Sequence, residues 1–122
     1  MKIRVYYEDT DCGGVVYHSN YLNFCERARS ELFFQKGLSP HKTDEFFVVK
    51  SLEADYISPA VFGDELFIKT TLLEKKSASL VLHQEIKKDE KLLFFMKVKV
   101  AYLKKGKPSK IPNEMFEVFK ND

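Results

Sequence analysis

Tyr6-Tyr7-Glu8-Asp9-Thr10-Asp11-Cys12-Gly13-Gly14-Val15-Val16-Tyr17-His18-Ser19-Asn20-Tyr21 is the stretch on which the fold turns. It links a short apolar strand to the one long helix that the pattern offers. It also gathers acids, a glycine pair, a histidine and four tyrosines. Upstream, residues 2–7 alternate, with Ile3, Val5 and Tyr7 on one face and Lys2, Arg4 and Tyr6 on the other, which predicts a strand. Gly13-Gly14 then lets the backbone take positive φ or approach another group closely.

Downstream, Tyr21, Phe24, Cys25, Ala28, Leu32 and Phe33 recur at helical spacing, which predicts a helix over residues 20–36. Ser19 or Asn20 can cap it, Gly37 can end it and Pro40 prevents its quick resumption. At about 1.5 Å per residue it is roughly 25 Å long, enough to cross a small sheet. Glu26/Arg29 and Arg27/Glu31 are placed to pair weakly across a turn. Alternation then predicts strands over residues 46–57, 65–75, 78–87 and 92–104. In the last of these, Phe94, Met96, Val98, Val100 and Tyr102 face one way and Lys97 and Lys99 the other. Pro108 and Pro112 mark a loose tail, with residues 115–119 as a short closing turn or strand.

One strand, one helix and four strands joined by tight turns predict a single α+β domain over residues 1–122. Its form is a five-stranded, largely antiparallel sheet with the helix on one face. The other face has no cover within the chain, which predicts oligomerisation. A net charge of +2 excludes the strongly basic footprint of a nucleic-acid binder. The two cysteines make no disulfide framework, and no apolar run approaches a membrane span or a secretory leader. A cytoplasmic compartment is the expectation. The late lysines, as in Lys104-Lys105-Gly106-Lys107, are either solvated turns or point charges for a phosphate-bearing ligand.

Within the opening stretch, the Asp11 carboxylate can take a proton from water or attack a carbonyl. It can equally do no more than fix the turn by an Asx-type hydrogen bond. The helix start offers unpaired N–H groups and the positive end of a dipole. A carbonyl polarised there would have its developing oxyanion stabilised, with Asp11 and the backbone N–H of His18 acting from two sides. Val15, Val16 and Tyr17 would wall the site, and the Tyr7 ring would bear on it. Asp9 and Glu8 are secondary candidates. No metal is expected. Gly13 takes the third ligand position of a calcium loop begun at Asp9 and Asn20 the twelfth, while His18, His41 and His83 have no ligand spacing. Cys12 has no histidine placed to activate it.

The run Val5 to Asp11, Gly13-Gly14-Val15-Val16-Tyr17-His18 and Tyr21, followed by Glu26-Arg27-Ala28-Arg29, resembles the acyl-CoA thioesterases of the YbgC group. That group lies in the 4-hydroxybenzoyl-CoA thioesterase branch of the hotdog-fold superfamily. Glu53-Ala54-Asp55-Tyr56, Pro59 and Gly63-Asp64-Glu65-Leu66 resemble a second block of the family. The resemblance implies a hotdog fold, a sheet wrapped around one long helix. It implies a homodimer with a continuous sheet, or a homotetramer of two such dimers, with each site at the dimer contact. Asp11 would be the catalytic carboxylate, as general base or nucleophile, and the N–H of His18 the oxyanion donor. Tyr7, Gly14, Val15, Val16 and Tyr17 would line the substrate. Acyl-CoA would be the substrate and no separate cofactor is implied. The group's link to the Tol–Pal system of the cell envelope implies a place at the inner face of the membrane. The competing expectation is a hotdog protein that binds acyl groups, or acts as a scaffold, without cleaving them.

Overall fold

The computed structural model describes residues 1–120. Strand β1 (Lys2–Arg4) is followed by a 3-10 turn (Tyr7–Asp9), helix α1 (Asn20–Phe34) and strands β2 (Glu45–Tyr56), β3 (Glu65–Lys75), β4 (Ser79–Lys88) and β5 (Lys91–Lys104). A two-residue strand β6 (Lys107–Pro108) and a short helix α2 (Asn113–Glu117) close the chain. The five main strands run in the order β1-β3-β4-β5-β2, all neighbours antiparallel, and β6 pairs with β5. The sheet curls around α1, the hotdog architecture.

The core sits between helix and sheet. Tyr21, Phe24, Cys25, Ala28 and Phe33 are the buried face of α1. They meet Leu66 and Ile68 of β3, Leu80, Leu82 and Ile86 of β4, and the expected Phe94, Met96, Val98, Val100 and Tyr102 of β5. Period 2 in the strands and period 3.6 in the helix place these residues on facing surfaces. Burying them supplies the main driving force of folding. No helix among the described residues is long and apolar enough to cross a membrane.

Four expectations are corrected. The first strand stops at Arg4 rather than running to residue 7. The Asp9 carboxylate accepts the Tyr6 N–H (2.8 Å) and turns the chain into a 3-10 turn, so Tyr7 leaves the strand face. The long helix ends two residues early, because the Leu38 N–H closes back on the Phe33 carbonyl (2.9 Å) around Gly37 at φ +72°. The tail is not loose. Ile111, Met115, Phe116, Val118 and Phe119 are all buried, and the Ile111 N–H bonds the Ser77 carbonyl (2.8 Å). Neither helix ion pair forms. Arg29 donates to Gln84 instead, and the Glu26 carboxylate accepts from Ser30 (3.3 Å).

Candidate active site

The loop between β1 and α1 is a small hairpin. Thr10 and Val16 face each other as an antiparallel bridge, and the Asp11 N–H bonds the Val15 carbonyl (2.9 Å). The Gly14 N–H returns to the Asp11 carbonyl (3.1 Å), which takes Gly14 to φ +81°, a conformation that glycine adopts without strain. Asp11 is therefore at the exposed tip. Its Oδ1 accepts the Gly13 N–H at 2.8 Å, the Asx-type bond foreseen as its alternative role. A side chain at Gly13 would crowd this oxygen, since a Cβ there would lie 3.2 Å from Oδ1. The bond orients the carboxylate and uses one oxygen.

Asp9 does something else. It is buried, its carboxylate is bound to the Tyr6 N–H, and its carbonyl accepts both the Tyr17 N–H (2.9 Å) and the Asn20 side-chain amide (2.9 Å). It pins the hairpin to the start of α1. Val16 is buried and donates to the Ala60 carbonyl (2.8 Å), and Val15 bridges Val61. The hairpin is thus tied to the segment after β2 as well as to the helix.

Ser19 precedes α1 with no side-chain capping bond; the Asn20 N–H is taken by the Tyr17 carbonyl (2.9 Å) and the Leu22 N–H by the Ser19 carbonyl (3.2 Å), which leaves the Ser19 and Tyr21 N–H groups without an acceptor among the described residues. His18 lies one residue further out. It is exposed, its N–H donates no hydrogen bond among the described residues, and its ring lies 4.4 Å from that of Tyr17. Its carbonyl accepts the Tyr56 hydroxyl at 2.7 Å. Burial pushes the Tyr56 pKa above its ordinary value, with further upward pressure from Tyr21 and Cys25, so the phenol stays a donor at neutral pH. Tyr21 donates nothing to this pair. Its oxygen accepts the Ala60 N–H (3.0 Å), which lowers its pKa, but burial outweighs that bond and raises it.

Val16, His18, Tyr21, Tyr56, Ile57, Ser58 and Pro59 line an open cavity of about 220 Å³. Of the expected site residues, Val16 and His18 are on its wall. Asp11, Gly14, Val15 and Tyr17 belong to the same hairpin but do not line it. Tyr7 is 74% exposed and stacks on Phe62 with ring centroids 4.0 Å apart. Tyr56 carries a role that sequence reasoning did not assign, although it stands within the quoted block of residues 53–56. No cluster that could hold a metal ion is found among the described residues.

Comparison with known proteins agrees with this fold. Residues 13–94 match the Thioesterase superfamily. Over 86 residues the chain is 51% identical to the acyl-CoA thioesterase YbgC of Helicobacter pylori, a match covering 70% of this chain and just under two thirds, 65%, of that relative. It is 41% identical to the acyl-CoA thioesterase YbgC of Haemophilus influenzae across 98% of this chain and 92% of that one. The structure of a probable thioesterase from Bartonella henselae superimposes with a TM-score of 0.86 at 36% identity, covering 92% of this chain and 97% of that one. With a hotdog fold and these relatives, the chain belongs to the YbgC-type family of acyl-CoA thioesterases within the thioesterase superfamily.

Proposed function

We propose that this chain hydrolyses the thioester of an acyl-CoA, taking up water and releasing a free acid and coenzyme A. The helix start carries this reading. His18 holds an N–H with no acceptor among the described residues two residues ahead of a helix without a side-chain cap, its carbonyl is fixed by Tyr56, and it lines a cavity. A thioester oxygen placed there receives that N–H and the positive end of the α1 dipole. As the carbonyl carbon becomes tetrahedral, negative charge grows on this oxygen, so the interaction strengthens toward the transition state.

Asp11 completes the chemistry. Its Oδ1 is held by Gly13, which leaves Oδ2 to draw a proton from water or to attack the thioester carbon. In the second case the C–S bond breaks as an acyl–Asp11 anhydride forms, and water then cleaves the anhydride. Coenzyme A departs as a thiolate, so a strong general acid is unnecessary. Because Asp11 does not line the cavity beside His18, the reading includes a homodimer in which each site draws on both subunits. Strand β2 supports it. β2 is an edge strand carrying exposed Val49, Leu52 and Tyr56, the kind of edge that pairs with a second copy. On family grounds the reading extends to a cytoplasmic enzyme at the inner face of the membrane.

Asp11→Asn keeps the size and the Asx-type acceptor while removing the base. Turnover across a panel of short to long acyl-CoAs should fall by about 100-fold or more, with circular dichroism and sedimentation unchanged. Equal, measurable rates for variant and wild type would remove Asp11 from the chemistry, and no turnover by wild type would leave an acyl-binding protein without hydrolytic chemistry. Single turnover in ¹⁸O-water separates the two roles, since only a nucleophilic Asp11 acquires the label.

A further inference from the structure

The segment between β2 and β3 carries Asp64, a charged group that the proposed chemistry does not use. It is buried, and its carboxylate is divided between two partners. Oδ1 pairs with Lys88 Nζ at 2.8 Å, and Oδ2 accepts the Val61 N–H at 2.9 Å. Lys88 is the last residue of β4 and is itself exposed. The Asp64 N–H returns to the Val61 carbonyl (3.1 Å), which closes a turn over residues 61–64 with Gly63 at φ +89°. Burial pushes the Asp64 carboxyl pKa up, but the bonds from Lys88 and Val61 outweigh it and hold it below its ordinary value. The carboxylate therefore stays ionised at neutral pH.

That turn reaches the Asp11 hairpin. Val61 bridges Val15, the Ala60 carbonyl accepts the Val16 N–H (2.8 Å), and the Val15 carbonyl accepts the Asp11 N–H (2.9 Å). A chain of bonds thus leads from Lys88 through Asp64 and Val61 to Val15 and Asp11. At its other end the segment is held by Tyr21, whose oxygen accepts the Ala60 N–H (3.0 Å). The neighbouring cations are engaged elsewhere. Arg4 donates to the Gly63 carbonyl (2.8 Å) and pairs with Glu65 (3.2 Å), and Lys2 also pairs with Glu65 (3.8 Å). Without Lys88 the buried Asp64 carboxylate would keep one N–H and no countercharge, which is costly. Turning toward water relieves that cost, and it releases the Val61 N–H that closes the turn.

We propose that Lys88 is a positioning residue for the Asp11 hairpin: its bond to Asp64 holds the turn over residues 61–64 in the shape on which Val15 and Val16 dock. An ion pair with one exposed partner contributes little to global stability. This one acts on the pose of a loop, since the core that holds the fold lies between α1 and the sheet. The effect on turnover rests on the part given to Asp11 in the proposed hydrolysis, and the effect on the hairpin does not.

The test combines amide hydrogen exchange by NMR with steady-state turnover of the acyl-CoA panel, on wild type, Lys88→Met and Lys88→Arg. Lys87→Met is the control, because it removes the adjacent charge and a different ion pair, that to Glu85. Lys88→Met should speed exchange of the Val61, Val16 and Asp11 amides by about tenfold or more. It should also lower kcat by about fivefold or more, with KM little changed, as a displaced reacting group does. Lys88→Arg should restore most of both, and Lys87→Met should change neither. Unchanged exchange at these three amides in Lys88→Met would overturn the proposal. So would faster exchange spread evenly over the β4 and β5 amides, which marks global destabilisation, or a Lys88→Arg variant as loose as Lys88→Met. Locally faster exchange with kcat intact would overturn it too. Absence of turnover in wild type strikes the hydrolytic reading instead, and the exchange pattern then decides the proposal by itself.

Discussion

The Tyr56 hydroxyl reaches across to the His18 carbonyl at 2.7 Å and so fixes the His18–Ser19 peptide, the one after the peptide that carries the His18 N–H. The bond positions rather than reacts. Tyr56→Phe should lower kcat for acyl-CoA about tenfold with little change in KM, and cost no more than about 1.5 kcal/mol of stability. A fall in stability alone, with kcat intact, would make the bond structural. The two thiols should differ sharply. Cys12 is exposed, whereas burial pushes the Cys25 thiol up to about 12, despite an opposing pull from Arg29. The native protein should therefore react with one equivalent of iodoacetamide at pH 8 and the unfolded protein with two. Because the folded pKa lies above the ordinary 9.0, the folded state holds this proton longer. Its stabilising contribution is complete below pH 9 and is lost as pH rises toward 12. Thermal melts of Cys25→Ala should show a shallower alkaline decline. At this scale Asp11 and His18 could be nominated as candidates, because the chemistry proposed for them is local to a strand–turn–helix junction. Tyr56 and Asp9 were not. One acts on a residue 38 positions away, and the other is marked as structural only by burial and the bonds it accepts.

Helix α1 begins without a side-chain cap, and that open end is what the proposed chemistry uses. Ser19→Asp would place a carboxylate at the positive end of the dipole. Stability should change by less than about 1 kcal/mol, while hydrolysis falls by tenfold or more, because a fixed anion competes with the developing oxyanion. Paired melts and steady-state rates on one preparation check both halves. Helix α2 has the opposite character. It is short, yet Met115 and Phe116 are buried with Val118 and Phe119, and the Lys75 ammonium lies 4.5 Å above the Phe116 ring. Met115→Ala should cost about 2–5 kcal/mol, measured by chemical denaturation. The long helix and the strands were readable because their apolar positions repeat over many residues. The tail was not, since five helical residues carry too little periodicity to outweigh two prolines. The first strand was overextended for a related reason. Its alternation continues to Tyr7 on paper, but the Asp9 carboxylate captures the Tyr6 N–H.

At the scale of the molecule, the exposed apolar residues of β2 and the segment after it are left uncovered among the described residues. Val49, Leu52, Tyr56, Ile57 and Val61 are all exposed. Sedimentation of the wild type should give a dimer or a multiple of it. Val49→Lys combined with Leu52→Lys should shift it to monomer and remove activity together. A fully active monomer would contradict shared sites. Sequence alone determined the class of fold, through strand alternation and one helical stripe, and it nominated Asp11 and the start of α1, through residue chemistry at a junction. Tertiary structure alone decided that Asp9 is a pin, that Tyr56 locks His18 and that the tail is core. It also decided that Arg29 faces Gln84 rather than Glu26. The physical reason is the same in each case. Periodicity is a property of neighbours along the chain, whereas burial and hydrogen-bond satisfaction depend on what distant segments bring to the same place.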